Sequence, residues 1–119
     1  MREEGNVKQQ EGRPEGLIGQ VLDLGGLVDY QAGSVVSRTV IDKNVGTVTV
    51  FAFDQGSGLS EHTAPYDALV QIIEGRAEIT IAGHLFTVSG GQMIIMPANH
   101  PHALRAAERF KMMLVMRRV

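Results

Sequence analysis

Short apolar segments separated by turn residues run along most of the chain, starting at Leu17. Alternation is clearest in 76–83, where Ala77, Ile79 and Ile81 fall on one face and polar residues fall on the other. The same reading, with its enrichment in Val, Ile and Thr, predicts an all-β protein. The predicted strands are 34–42, 47–54, 68–75, 76–83, 84–89, 92–97, 102–106 and 110–116.

The arrangement of these strands favours a closed architecture. Residues 47–54 are apolar on both faces, which is typical of a central strand, and Pro97 ends the strand before it. Residues 103–113 could also form a helix on propensity alone, but the segment is short and lacks a clear N-cap, because Pro101 and His102 precede it. Many short antiparallel strands must close or stack to protect their edges, so we predict an antiparallel jelly-roll β-barrel with a cavity at its mouth.

Length and composition bound the classes of function. The 119 residues suffice for one domain, predicted at 17–119 behind a flexible polar arm at 1–16. Eleven Lys and Arg against thirteen Asp and Glu give a formal charge of -2, which does not favour nucleic acid as a partner. The sequence holds no apolar run long enough to span a membrane, and the charged N-terminus does not resemble a secretory signal. It also contains no Cys, which excludes disulfides and thiol chemistry and suits a cytoplasmic location.

Four His remain as the main candidates for chemistry. His84 falls in a predicted hairpin turn and His100 in the loop 97–102, where exposure is the simpler expectation. His62 and His102 differ, because each lies just beyond a turn at the end of a predicted strand. These two are therefore the candidate site residues.

The segments around these two His carry a resemblance to a known family. GSGLSEHTAPYDALVQIIEG, with Gly56, His62 and Gly75 in register, resembles the first cupin motif. GGQMIIMPANHPHALRA, with Gly91, Pro97 and His102, resembles the second. The resemblance implies a small single-domain cupin barrel and favours a homodimer, in which an early strand such as 34–42 pairs across a partner's sheet.

The resemblance also implies a set of possible metal ligands. In metal-binding cupins, iron, manganese, nickel, zinc or copper is held by two His and a Glu of the first motif and a His of the second. By position, the first and last of these ligands are His62 and His102. The other two positions hold Ala64 and Ala68, and the Asn position of the second motif holds Ala106. Two imidazoles alone make an underfilled metal site.

Two neighbouring residues extend the candidate site. Asp67 would complete a two-His, one-carboxylate metal site if the strand bulges, or it caps the turn after Pro65 and Tyr66. Tyr66 could close the barrel mouth over a ligand, or pack on the surface as a turn residue.

Three functions stay open on these residues. The first is a small-molecule-binding barrel with a pocket centred on His62 and His102, in which the methyl groups of Ala64 and Ala68 leave room for a ligand. The second is a metal-dependent enzyme, such as a dioxygenase, isomerase or decarboxylase acting on a small polar substrate. The third is a regulatory or partner-binding module. The two Ala favour the first over the second.

Overall fold

Nine β-strands and two short 3-10 helices make up the fold of residues 7–118, the part of the chain that this computed structural model describes. The 3-10 helices span Pro14–Leu17 and Leu24–Leu27. The strands, in chain order, are β1 Val7–Gln9, β2 Val35–Lys43, β3 Gly46–Phe53, β4 Gly58–His62, β5 Ala68–Ile81, β6 His84–Ser89, β7 Met93–Met96, β8 His102–Arg105 and β9 Phe110–Arg117. Their pairing is antiparallel except between β1 and β2, so the predicted all-β jelly-roll architecture is confirmed.

The long strand β5 joins two layers of the sheet. Its first part pairs with β9 and β7, and its second part pairs with β6 and β8. The change of layer occurs at a register shift between Ile72 and Glu74, followed by Gly75 at φ 78°. The prediction of two strands, 68–75 and 76–83, was therefore wrong. The Glu-Gly pair bends one strand, because the backbone keeps its ladder partners through the bend.

Strand order explains the other differences from the sequence prediction. The order β1-β2-β3-β9-β5-β8-β4 places β3 between β2 and β9, which confirms its central position. β4 was missed because Gly58–His62 is short and largely polar, and only its pairing with β8 makes it a strand. Within the predicted arm, β1 pairs with β2 over Val7–Gln9, while residues 1–6 lie outside the described residues.

The apolar core lies between the two layers. Inward-facing positions alternate along each strand, as in Ala68, Val70 and Ile72 of β5, all at most 1% exposed. The opposite, outer face of β2 and β3 is covered by the chain's own residues 24–30. Tyr30 holds this cover in place, because its hydroxyl donates to Glu74 Oε2 at 2.8 Å and the Arg109 guanidinium lies 4.2 Å from its ring centroid.

Part of the outer face is left open. The strand registers place one aliphatic residue beside the next across five strands, forming a continuous row. Ile95 is 55% exposed, Ile41 47% and Val115 36%. We call these residues the apolar row: Ile41, Val48, Val115, Leu69 and Ile95.

In residues 7–118, no helix has the length and apolar character needed to cross a membrane.

Candidate functional site

His62 and His102 face each other on the inner side of the barrel. The two residues are ladder partners on adjacent strands β4 and β8, so their side chains leave the sheet on the same face. Their Nε2 atoms are 3.2 Å apart, and their rings meet edge to face at 75°. His102 is 2% exposed, whereas His62 is half-buried nearer the mouth. The structure therefore brings together the two His that the sequence singled out.

A backbone contact sets the tautomer of His62. Its Nδ1 lies 2.7 Å from the Ser60 carbonyl oxygen, and a carbonyl can only accept, so Nδ1 carries the proton. In the neutral ring Nε2 then holds a lone pair directed at His102. That lone pair either accepts a hydrogen bond from His102 Nε2 or faces a cation shared by the two rings.

His102 is buried with unused hydrogen-bonding capacity. Its Nδ1 makes no hydrogen bond of good geometry among residues 7–118, although the backbone of His100 lies near enough to the ring to act on its pKa. Burial, and then the neighbouring His62, hold the pKa of His102 below its ordinary value of 6.5, while the backbone of His100 opposes this shift. His102 is thus an uncharged ring at neutral pH, and a buried polar atom without a partner usually marks an interaction that still has to be supplied.

The residues present do not complete the metal site of the family. Ala64 and Ala68 are buried, and Ala68 is a ladder partner of Met96 and Met116. No group of three or more His, Asp or Glu side chains with metal-binding geometry occurs within residues 7–118. The His pair alone does suit a shared ion, since two nitrogens 3.2 Å apart and each about 2.1 Å from a metal subtend about 100°. Two ligands nevertheless fall short of the three or four that metal sites ordinarily use.

Asp67 connects two loops at the mouth of the barrel. Its Oδ1 accepts a hydrogen bond of 2.8 Å from the Ala98 N–H, and the Asn99 N–H donates to the Ala64 carbonyl at 2.8 Å. Asn99 has φ 63°, the left-handed conformation that suits the Gly of the family motif and that Asn tolerates. The carboxylate of Asp67 is thus engaged in positioning the loop that leads into His102, and the structure does not group it with the two His.

A cavity of about 390 Å³ lies against the inner face of β2, β3 and β9. Tyr66 contributes to its lining and packs against the main core. His62 and His102 are not among its lining residues. The residues that line it are Thr39, Asp42, Thr47, Thr49, Phe51, Tyr66, Leu114, Met116 and Arg118.

The threonines that line this cavity were not predicted as site residues from the sequence. Thr47 and Thr49 were part of a segment interpreted as apolar on both faces. The signal that could have found them is their spacing of two before Phe51 and Phe53, which places hydroxyls and rings on one face. The other two His lie outside the site, because His84 and His100 are both exposed.

A protein-family model described as a cupin domain matches residues 49–116, more than half of the chain. The chain belongs to the cupin family. Its match spans both motif segments and strands β4 to β8, with most of β3 and β9. The family assignment that the two motifs implied is confirmed.

Solved structures of similar proteins support the same family assignment. A conserved Streptococcus pyogenes protein of unknown function is 42% identical, with a TM-score of 0.81, over 85% of this chain and 89% of that one. A cupin 2 conserved barrel domain protein from Leptotrichia buccalis is 37% identical, with a TM-score of 0.79, over 82% of this chain and 47% of that one. A cupin superfamily protein from Desulfitobacterium hafniense is 25% identical, with a TM-score of 0.79, over 83% of this chain and 91% of that one. The comparison with curated proteins found no match.

Proposed function

We propose that this cupin binds a small organic molecule inside its barrel, with His62 and His102 as hydrogen-bonding groups. The observation that carries the proposal is the inward-facing imidazole pair, in which the buried Nδ1 of His102 makes no hydrogen bond of good geometry among residues 7–118. A neutral imidazole has one donor and one acceptor nitrogen, so the pair can both give and receive hydrogen bonds. A polar ligand would supply the missing partner.

The residues around the pair support a ligand more than a complete metal shell. Ala64 and Ala68 place methyl groups at two positions where the family's metal-binding pattern has His and Glu. Methyl groups contribute no coordinating atoms and occupy less volume than those side chains. This end of the barrel therefore has fewer metal ligands than the family's metal-binding pattern.

To test this proposal, the purified protein is denatured and the small molecules that it releases are identified by mass spectrometry. Their affinity for the emptied barrel is then measured. We expect His62→Gln and His102→Gln to weaken binding roughly tenfold, because each removes a hydrogen bond from a partly desolvated site. His84→Gln, exposed at the start of β6, is the matched control and should bind like the parent protein. Unchanged affinity in both site variants would exclude a role for the pair.

A metal-dependent enzyme is the second candidate, favoured by the 3.2 Å separation of the two Nε2 atoms. A dioxygenase, isomerase or decarboxylase acting on a small polar substrate would then need further ligands from water or substrate. Metal analysis of protein purified without a His tag separates the candidates. Near-stoichiometric iron, manganese, zinc, nickel or copper that is lost in His62→Ala and His102→Ala supports the enzyme. Less than roughly a tenth of an equivalent after supplementation refutes it.

A further inference from the structure

We infer that the barrel binds an uncharged molecule bearing several hydroxyl groups, such as a sugar or polyol, along a wall of three threonines. The inference goes beyond the proposed function, because His62 and His102 do not line the cavity concerned. The wall is defined by Thr39, Thr47 and Thr49, which line the cavity of about 390 Å³.

Strand geometry directs these three side chains into the barrel. Thr39 and Thr49 are ladder partners on β2 and β3, and Thr47 follows on the same face of β3. The next residue on that face is Phe51, which is 2% exposed in the core. The inner surface of β3 therefore changes from aromatic at depth to hydroxyl-bearing toward the mouth.

The hydroxyl groups of the threonine wall are free to bind. None of the three forms a hydrogen bond with another residue of the described range 7–118, and all three residues are half-buried. Each hydroxyl has one donor and two acceptor positions. A ligand with hydroxyl groups matches this mixture of donors and acceptors, whereas a ligand with acceptors alone uses only part of it.

Charge in the cavity argues against an ionic ligand. Its two charged lining residues are Asp42 and Arg118, which pair with each other at 3.2 Å. A carboxylate or phosphate needs an unpaired cation to offset its desolvation, and an ammonium group needs an unpaired anion. The cavity lining supplies neither.

Apolar side chains on the same inner surface, beside the threonines, accept the carbon skeleton of this ligand. Leu114 and Met116 of β9 are the ladder partners of Thr49 and Thr47. Phe51, Leu114 and Met116 give the cavity an apolar side facing the C–H groups that sugars and polyols also expose. Its volume of about 390 Å³ lies in the range of ordinary small-ligand sites, about 300–1,000 Å³. The lining therefore combines hydroxyl groups with apolar side chains, which suits a ligand that carries both hydroxyl and C–H groups.

An NMR titration of the emptied protein tests the class of ligand directly. The probes are D-glucose and myo-inositol as neutral polyols, cyclohexanol as a ring with one hydroxyl, and D-gluconate as an anion. We expect the two polyols to shift the methyl signals of Thr39, Thr49 and Leu114 below about 100 mM, more strongly than the other two probes. Thr39→Val and Thr49→Val, which keep the side-chain shape, should each weaken polyol binding roughly three- to tenfold. Thr80→Val, on the outer face of β5, is the matched control.

Each outcome decides one claim. The inference is overturned if neither polyol shifts these signals, or if Thr39→Val and Thr49→Val bind the polyols as well as Thr80→Val does. Stronger binding of D-gluconate or cyclohexanol in the cavity also overturns the class of ligand but leaves a small-molecule-binding barrel. Polyol binding that depends on the threonines but is unchanged in His62→Gln and His102→Gln supports this inference and places the polyol apart from the His pair.

Discussion

Gly75 is the residue at which β5 passes from one layer of the barrel to the other, and Gly75→Ala should destabilise the fold strongly. Its φ of 78° lies in the left-handed region that L side chains avoid. A methyl group there would also lie 2.9 Å from Cα and Cβ of Phe110, and closer still to the carbonyl oxygen of Arg109. Because these are atoms of the neighbouring strand β9, the overlap can be relieved only by moving the sheet.

The expected cost has two parts. The left-handed conformation costs roughly 1–2 kcal/mol for a residue with a Cβ, partly offset by about 0.4–1 kcal/mol from the less flexible unfolded chain. Forcing a methyl group into a closely packed ladder adds roughly 1–3 kcal/mol. The total loss of unfolding free energy is therefore about 1–5 kcal/mol, a large share of the 5–15 kcal/mol typical of a domain.

Gly83→Ala is the matched control, because Gly83 has φ 82° but no atom within 4 Å of the added methyl group. It carries the conformational cost without the overlap. Urea unfolding of both variants under one set of conditions yields the difference, which we expect to be at least about 1 kcal/mol. Equal stabilities would refute the contact between Gly75 and β9, and with it the account of how β5 bends.

Three further results are expected. Because the pKa of His102 is lowered in the folded state, its contribution to stability is present above about pH 6.5 and is lost as the pH falls toward the folded pKa. His102→Gln should therefore lessen the loss of stability between pH 7.5 and about pH 5.5. A pH profile of urea unfolding that is the same in the variant and the parent protein would contradict this. Asp67→Ala should weaken small-molecule binding and raise hydrogen exchange at the Ala98 amide, since it removes the acceptor of that N–H, and full protection of the amide in the variant would disprove the contact. We expect the apolar row to be buried in a homodimer interface, which light scattering should detect as a dimer. Val115→Lys should dissociate this dimer, whereas Leu85→Lys, on β6 at 62% exposure, should leave it intact. A monomeric parent protein would rule out this interface.

Much of the fold followed from local patterns. Strand β6 was predicted with its observed bounds, and β7, β8 and β9 were predicted to within one residue at each end. The cupin motif positions likewise located His62 and His102. Such features depend on period, turn chemistry and spacing, all of which are local properties of the chain.

The remaining features depend on which strands become neighbours. β4 has little strand character of its own and is defined by its partner β8, and the apparent break at Gly75 becomes a bend because β9 continues alongside. The threonine wall forms only because β2 and β3 pair in the register that sets Thr39 against Thr49. The sequence by itself thus determined the family, the strand-rich fold and the two candidate His. Tertiary structure alone decided that their rings meet, that Asp67 holds a loop instead of joining them, and that hydroxyls line the cavity, because each of these depends on contacts between residues far apart in the chain.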